Sequence, residues 1–412
     1  MGIDGALNAH QGEMQSEDGK VHWHSRFENN KDGLDKLVVK LEEVKRNTGD
    51  TIIGIYAEAM GSYFAPFQYQ LTQMGYRVVL VNPRKVKKAR DMKNLGKHKS
   101  DPIDASTLAS LPWMQAEFRD MVTHQRYPIS ELTRLHQKMK KMETQVKNSL
   151  HSDLARVFPE FIHNVKYRDS KTVLKLLEKY PTPAKILEVS EGKLIKQVKK
   201  TSCGILGPEF VKKIQSLAKD TIGVPDEEGV IGYRIKFFIE RLWEIKKSIN
   251  KIENDVKQRT KDNKDIQMID DMRGIERFKA ISMYAETGPI EQFKNARKLQ
   301  GYGGNTPIRI QSGKKEWIGR PSKIVNQHLR YIVSVCARSL ASHSEEFREI
   351  YYREKMKGKT DTQAYIIIGN RLLYHIFTIL KNKKPYRKRL PMSAKQPPHP
   401  YTSSKQKKAC SG

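Results

Sequence analysis

"DTIIGIYAE", residues 50–58, is the stretch that decides how the first part of the chain is built. Apolar side chains fall on both faces of the run, as they do in a strand covered on both sides of a sheet, and Glu58 closes it. Upstream, "GIDGALNAH" and "KVHWHSRFEN" flank the turn "SEDGK" as strands of a hairpin or meander. Between them and the buried strand, "DGLDKLVVKLEEVKR" has helical spacing, with Leu34, Leu37, Val38 and Leu41 on one side. Downstream, the helix "YFAPFQYQLTQMG" ends at Gly75, and the strand "YRVVLVNP" stops at Pro83. This alternation predicts an α/β domain with a partly parallel sheet over residues 1–123.

The 412 residues predict two or three domains. Their 76 Lys and Arg against 46 Asp and Glu give a formal charge of +30, a field that calls for a polyanionic partner, either nucleic acid or an anionic membrane. The longest apolar runs fall far short of the roughly 20 residues a spanning helix needs, which favours nucleic acid and predicts a soluble, non-secreted protein. Cys203, Cys336 and Cys410 are too few and too scattered for a disulfide framework or a CxxC zinc site. His22 and His24 alternate along a strand with no second ligand pair near them, and are read as surface residues.

From 124 to 267 the sequence becomes long, charged and helical. "SELTRLHQKMKKMETQVKNSLHSDLARVF" and "YRIKFFIERLWEIKKSINKIENDVKQRTKDNKD" repeat apolar residues at three and four, as antiparallel coiled-coil arms do, and shorter helices are expected between them. Residues 268–384 are globular again and mostly helical, around the Gly-rich "LQGYGGNTPIRIQSGKKEWIGRPSK". The tail, 385–412, has basic residues and no acidic ones; it is expected to be disordered and held to phosphates electrostatically.

"KSDPIDAS", residues 99–106, admits two readings. With Pro102 at the first helical position, Asp101 is an N-cap and Asp104 an acid of the first turn. Positions i and i+3 also share a helix face, so both carboxylates can point at one cation. Asp4 in "MGIDGA" and Glu58 lie where an α/β sheet can bring them to such a pair, the four-carboxylate constellation of RNase H-like nucleases.

"GID" at 2–4, "EAMGSYFAPFQYQLTQMGYRVVLVNP" at 58–83, "KSDPIDA" at 99–105 and "ARKLQGYGGNTPIRIQSG" at 296–313 together resemble the four signature blocks of one family. It is the DEDD transposase family of the insertion-sequence one-ten and eleven-eleven groups, whose members are known as bridge-RNA-guided recombinases. The resemblance covers both globular regions in the right order. It implies an N-terminal RuvC-like domain of RNase H fold, a coiled-coil arm and a mainly helical C-terminal transposase domain. Asp4, Glu58, Asp101 and Asp104 match the Mg²⁺ ligands. Ser312 matches the nucleophile, expected to attack a DNA phosphate, form a 5′-phosphoserine link and release a 3′-hydroxyl for strand exchange.

Without the resemblance Ser312 reads as a turn serine in a polar loop. Beside it, Gly301, Gly303, Gly304 and Gly313 are expected to let the backbone approach DNA, and Lys314, Lys315, Arg320 and Lys323 to touch phosphates, as is Lys99 in the N-terminal domain. "IDDMRGIERFKAISMYAETG" resembles the family's helix-hairpin-helix, with Arg273 for the usual proline and Glu276 for the second glycine; packing is expected of it, with backbone contact to nucleic acid left to Gly274. Only three residues precede Asp4, and Gly5-Ala6 stands where a β-branched residue is usual, so a late start or a shortened first strand is expected. The partners implied are DNA, a structured non-coding guide RNA, and further copies of the chain in a dimer or a tetramer, in the bacterial or archaeal cytoplasm at the nucleoid. Two other functions fit the residues: a junction-resolving nuclease that uses the four acids without Ser312, and a nucleic-acid-binding relative that has lost its chemistry.

Overall fold

The structure is a computed structural model that describes residues 1–58, 63–93, 99–114, 127–312, 315–321 and 325–387. The chain gathers into two compact units, one of residues 1–263 with 284–288, the other of 264–283 with the residues from 289 onward.

The first unit opens with β1 (Gly2–Asp4), β2 (Ala9–Gln15), β3 (Val21–Glu28), α1 (Lys31–Thr48), β4 (Ile55–Glu58), α2 (Ala65–Gln73), β5 (Val78–Val81), α3 (Pro83–Lys93) and α4 (Asp101–Ser110). The five strands form one sheet in the order β3-β2-β1-β4-β5. β1, β2 and β3 are antiparallel neighbours, whereas β1, β4 and β5 run parallel, an arrangement consistent with the RuvC-like DEDD domain expected. β1 is short, as expected, yet it is the central strand and is paired on both edges.

Because successive side chains leave a strand on opposite faces, each strand feeds two layers. Ile3, Ile55, Ala57 and Val78 pack with Leu34, Leu37 and Leu41 of α1 and with Phe67 and Leu71 of α2. Tyr56, Val79 and Val81 pack on the other face with Val86 and Ala89 of α3 and Leu108 of α4. α1 is capped by Asn30, whose side chain accepts from the Gly33 amide, and ends at Gly49 in the left-handed region (φ 69°).

The middle region holds α5 (Tyr127–Val157), α6 (Pro159–Asn164), α7 (Lys171–Lys179), α8 (Pro183–Leu187), α9 (Glu191–Thr201), α10 (Pro208–Lys219) and α11 (Val230–Arg259). α5 and α11 lie side by side and antiparallel: His136 meets Glu253 at 3.0 Å near one end, and Arg234 donates to Asp153 at 2.9 Å near the other. The short helices between them enclose a core of their own, with Phe158, Phe161, Leu174, Leu177, Ile186 and Ile214 all buried.

The second unit contains α12 (Lys264–Asp270), the start of α13 (Arg277–Thr287), α14 (Ala296–Tyr302), the hairpin β6 (Pro307–Ser312) and β7 (Lys315–Pro321), α15 (Gln327–His343), α16 (Glu345–Met356) and α17 (Asp361–Asn382). α15 and α17 supply the core through Leu329, Val333, Leu340, Ile368, Leu372 and Ile376. α17 starts with a full capping box, Thr360 accepting from the Gln363 amide and Gln363 accepting from the Thr360 amide. The tail expected to be disordered lies, from residue 388, outside the described residues.

Candidate active site

The strand register brings the first two acids together. Gly2 pairs with Tyr56 and Ile3 with Ala57 across parallel strands, so Asp4 and Glu58 come next in line, at the carboxyl ends of β1 and β4. By the alternation of side chains both fall on the face that carries Tyr56, the layer covered by α3 and α4. In open α/β sheets this end of the strands is where ligands bind.

α4 brings the second pair. It can lie directly on β1 because residue 2 is glycine: a Cβ there would stand 2.2 Å from both the Ala105 carbonyl oxygen and the Ala109 amide. The N-cap is Ser100, one residue earlier than expected, so Asp101 is the first residue of the helix and not its cap. Asp101 is exposed, whereas Asp104 is only 1% exposed and its carboxylate accepts from Arg90 of α3. Lys93 of α3 donates to the Ser106 hydroxyl at 2.8 Å, and Gln15 of β2 donates to the same oxygen at 3.1 Å, so α4 is tied on both sides.

The four carboxylates share one electrostatic site. Burial first, and then the charges of Asp104, Asp101 and Glu58, push Asp4 up to about 6, with Lys99 pulling the other way. Glu58 is raised for the same reasons, burial and then Asp104, against the opposing charges of Lys99 and Arg90. Carboxylates crowded into a partly buried site repel one another, and added positive charge relieves the repulsion. Carboxylate oxygens are the donors a hard divalent cation takes, and the chemistry of the set fits one. Among the described residues no three His, Cys, Asp or Glu side chains are arranged as a ready metal-ligand group, and Asp104 is held by a guanidinium.

In the second unit, Ser312 is the last residue of β6 and pairs with Lys315 at the start of β7. It therefore sits at a hairpin tip, not in an irregular polar loop. Gly313, Lys314 and Lys323 lie outside the described residues, and Lys315 and Arg320 belong to β7. Two of the glycines expected to approach DNA serve the interior: a Cβ on Gly303 would meet Leu373 at 2.8 Å, and Gly304 lies against Val325 at φ 71°. Gly301 has open space around it. Gly274 turns the chain between α12 and α13 at φ 102°, against Leu340 and His343, where a residue with a Cβ would be strained.

Arg90, Lys93 and Gln15 were not among the candidates read from the sequence. Pro83 is a good first residue for a helix, and Val86 and Ala89, three apart, are the inward positions of α3. The pairing of Arg90 with Asp104 leaves no mark in the sequence.

A model of the DEDD transposases of the IS110 type matches residues 1–159, and a second, described as the transposase IS116/IS110/IS902 family, matches residues 266–352. The chain belongs to the IS110 family of transposases. It is thus an enzyme of DNA rearrangement, with DNA as its partner, and the family's DEDD acids imply use of a divalent metal. This transposase is 22% identical over 400 residues to the mini-circle protein of IS117 from Streptomyces coelicolor, covering 93% of this chain and 94% of that one. It is 27% identical over 143 residues to the transposase for insertion sequence element IS1111A of Coxiella burnetii, covering 34% and 39% of the two chains. The 44.8 kDa protein of insertion element IS116 from Streptomyces clavuligerus is 20% identical over 320 residues, 76% and 79% of the two. No helix among the described residues is long and apolar enough to cross a membrane.

Proposed function

We propose that this transposase cuts and rejoins DNA with two sets of groups, the carboxylates Asp4, Glu58, Asp101 and Asp104 and the hydroxyl of Ser312. The observation that carries the proposal is the crowding of acids at the carboxyl ends of β1 and β4, where Asp104, Asp101 and Glu58 raise the proton affinity of Asp4, and Asp104 raises that of Glu58. The four would hold Mg²⁺, which supplies Lewis-acid stabilisation of charge on the phosphate oxygens. Residues 1–123 form the DEDD domain in this reading, 124–267 a coiled-coil arm for assembly, and 268–384 the domain of the serine.

Ser312 Oγ attacks the phosphorus of a DNA phosphodiester, a phosphoserine bond forms as the bond to the 3′-oxygen breaks, and the leaving 3′-oxygen takes a proton to become the 3′-hydroxyl. A serine hydroxyl needs a base to take its proton as it attacks. Lys99, Lys314, Lys315, Arg320 and Lys323 would neutralise phosphates and Gly274 would offer its amide, so position and not sequence is read by the protein. Sequence choice would be delegated to a structured guide RNA held by the basic surface, in an assembly of two or four copies.

A denaturing gel of DNA cut in the presence of Mg²⁺ and RNA from the flanks of the element tests this. A covalent protein–DNA band that disappears in Ser312→Ala and in Asp101→Ala is expected. Free cut DNA produced equally by Ser312→Ala would replace the serine chemistry by metal-assisted hydrolysis. Binding with no cutting by the wild-type protein would overturn the enzymatic mechanism.

A further inference from the structure

We infer that the outer face of α3 is a docking strip for the phosphate backbone of the DNA strand led to the four acids. The inference rests on the reading of those acids as the cutting site.

α3, "PRKVKKARDMK", carries six cations and one acid in 11 residues. The fold divides them. Val86 and Ala89 are buried against the sheet, and Arg90 and Lys93 are engaged with Asp104 and Ser106 of α4. Arg84, Lys87 and Lys88, at i, i+3 and i+4, share the opposite face and are exposed; Asp91, at i+7, is the one acid on that face. Neighbours at this spacing lie roughly 5–6 Å apart, close enough to follow one strand.

Three features set this face apart. Exposed cations elsewhere in the chain are commonly answered by an acid one turn away, as in Lys185–Glu188, Arg241–Glu244 and Arg259–Asp255. Arg84, Lys87 and Lys88 have no ion pair among the described residues. The helix also places Arg84 in its first turn, which has no acid, although that end of the helix dipole favours negative charge. A local rule broken without compensation inside the fold points to a partner outside it. Finally, the strip starts at the site: Val81 is the register partner of Glu58, and α3 begins at Pro83. The polyanion closest to these acids in the reaction is the strand being cut, which selects DNA.

The test is fluorescence anisotropy of the full chain with a labelled DNA duplex in EDTA, at several NaCl concentrations, so that no cutting is needed. Each lost phosphate contact lowers the slope of log K against log[salt] by about 0.9. Arg84→Gln/Lys87→Gln/Lys88→Gln is expected to lower the slope by about 2 to 3 and to weaken binding at about 0.1 M salt by tenfold or more, irrespective of sequence. The comparison triple Lys185→Gln/Arg241→Gln/Arg259→Gln is expected to leave both near wild type. Wild-type protein gives a second readout: DNA protects Lys87 and Lys88 from acetylation but not Lys185. Unchanged slope and protection, an equal loss in the comparison triple, or a loss confined to an RNA hairpin of the same length would each overturn the strip. Because Asp101→Ala cutting is scored separately, loss of cutting with an unchanged slope rejects the strip alone, and a changed slope with unaffected cutting rejects the cutting site.

Discussion

Gly2→Ala should break the candidate site without touching a carboxylate. The added Cβ would lie 2.2 Å from the Ala105 carbonyl oxygen and from the Ala109 amide, and 2.8 Å from the Leu108 carbonyl carbon, where ordinary contact starts near 3.4 Å. β1 cannot yield, since it is hydrogen-bonded on both edges. α4 must therefore retreat by about 1 Å, at a cost of about 1–3 kcal/mol for overpacking. Asp101 and Asp104 ride on α4 while Asp4 and Glu58 stay on the sheet, so the two pairs separate by the same amount. A misplacement of about 1 Å lowers catalysis on the order of 10²-fold. Thermal unfolding and Mg²⁺-dependent cutting measure the two effects, with Gly192→Ala as control, because nothing lies within 4 Å of a Cβ there and its backbone is helical. A Gly2→Ala protein with wild-type melting temperature and cutting would refute the packing of α4 on β1.

Arg134 binds Glu286 through two hydrogen bonds, of 2.7 and 3.0 Å, and the Glu286 side chain is fully buried, so Arg134→Leu should cost about 3–5 kcal/mol in urea unfolding and Arg134→Leu/Glu286→Leu distinctly less. Lys359, Lys357 and Arg353 hold the Glu354 carboxyl down to about 2. A depressed folded-state value contributes stability above the unfolded value near 4.5 that disappears as pH falls through 2, so the advantage of wild type over Glu354→Gln should shrink steadily from pH 6 to pH 3. Burial pushes the Cys336 thiol up to about 12, whereas Cys203 is exposed. With Cys410 replaced by serine, a thiol reagent should label one cysteine at once and the second only on unfolding; two fast labels would contradict the core around Leu340 and Leu372.

Much of the fold is legible in the residues because it rests on periodicity. The continuous apolar runs at 55–57 and 78–81, which serve both faces of the sheet, and the helical stripe Leu34, Leu37 and Leu41 depend on short-range geometry that each segment carries by itself. α3 is less legible, since its six cations mask the inward pair Val86 and Ala89, and the hairpin β6–β7 is hidden in a segment whose glycines suggest a loop. The cap of α4 falls one residue from the place its Asp-Pro suggests, a shift that propensity cannot resolve.

The sequence by itself determined the inventory of the candidate site: four acids and a serine in blocks that resemble one family's, and an excess positive charge of +30 that calls for a polyanion. It also determined, through the two-residue period of strands, that Glu58 shares a face with Tyr56, whereas the register of β1 against β4 puts Asp4 on that face too. Only the tertiary structure decided that α4 covers that face, because its approach depends on the missing Cβ of Gly2, a contact between residues about a hundred positions apart. It alone decided that Arg90 answers Asp104, and that Gly303 and Gly304 serve packing against Leu373 and Val325. Such contacts depend on which surfaces meet, and surface complementarity is a property of the folded pair that neither segment encodes alone.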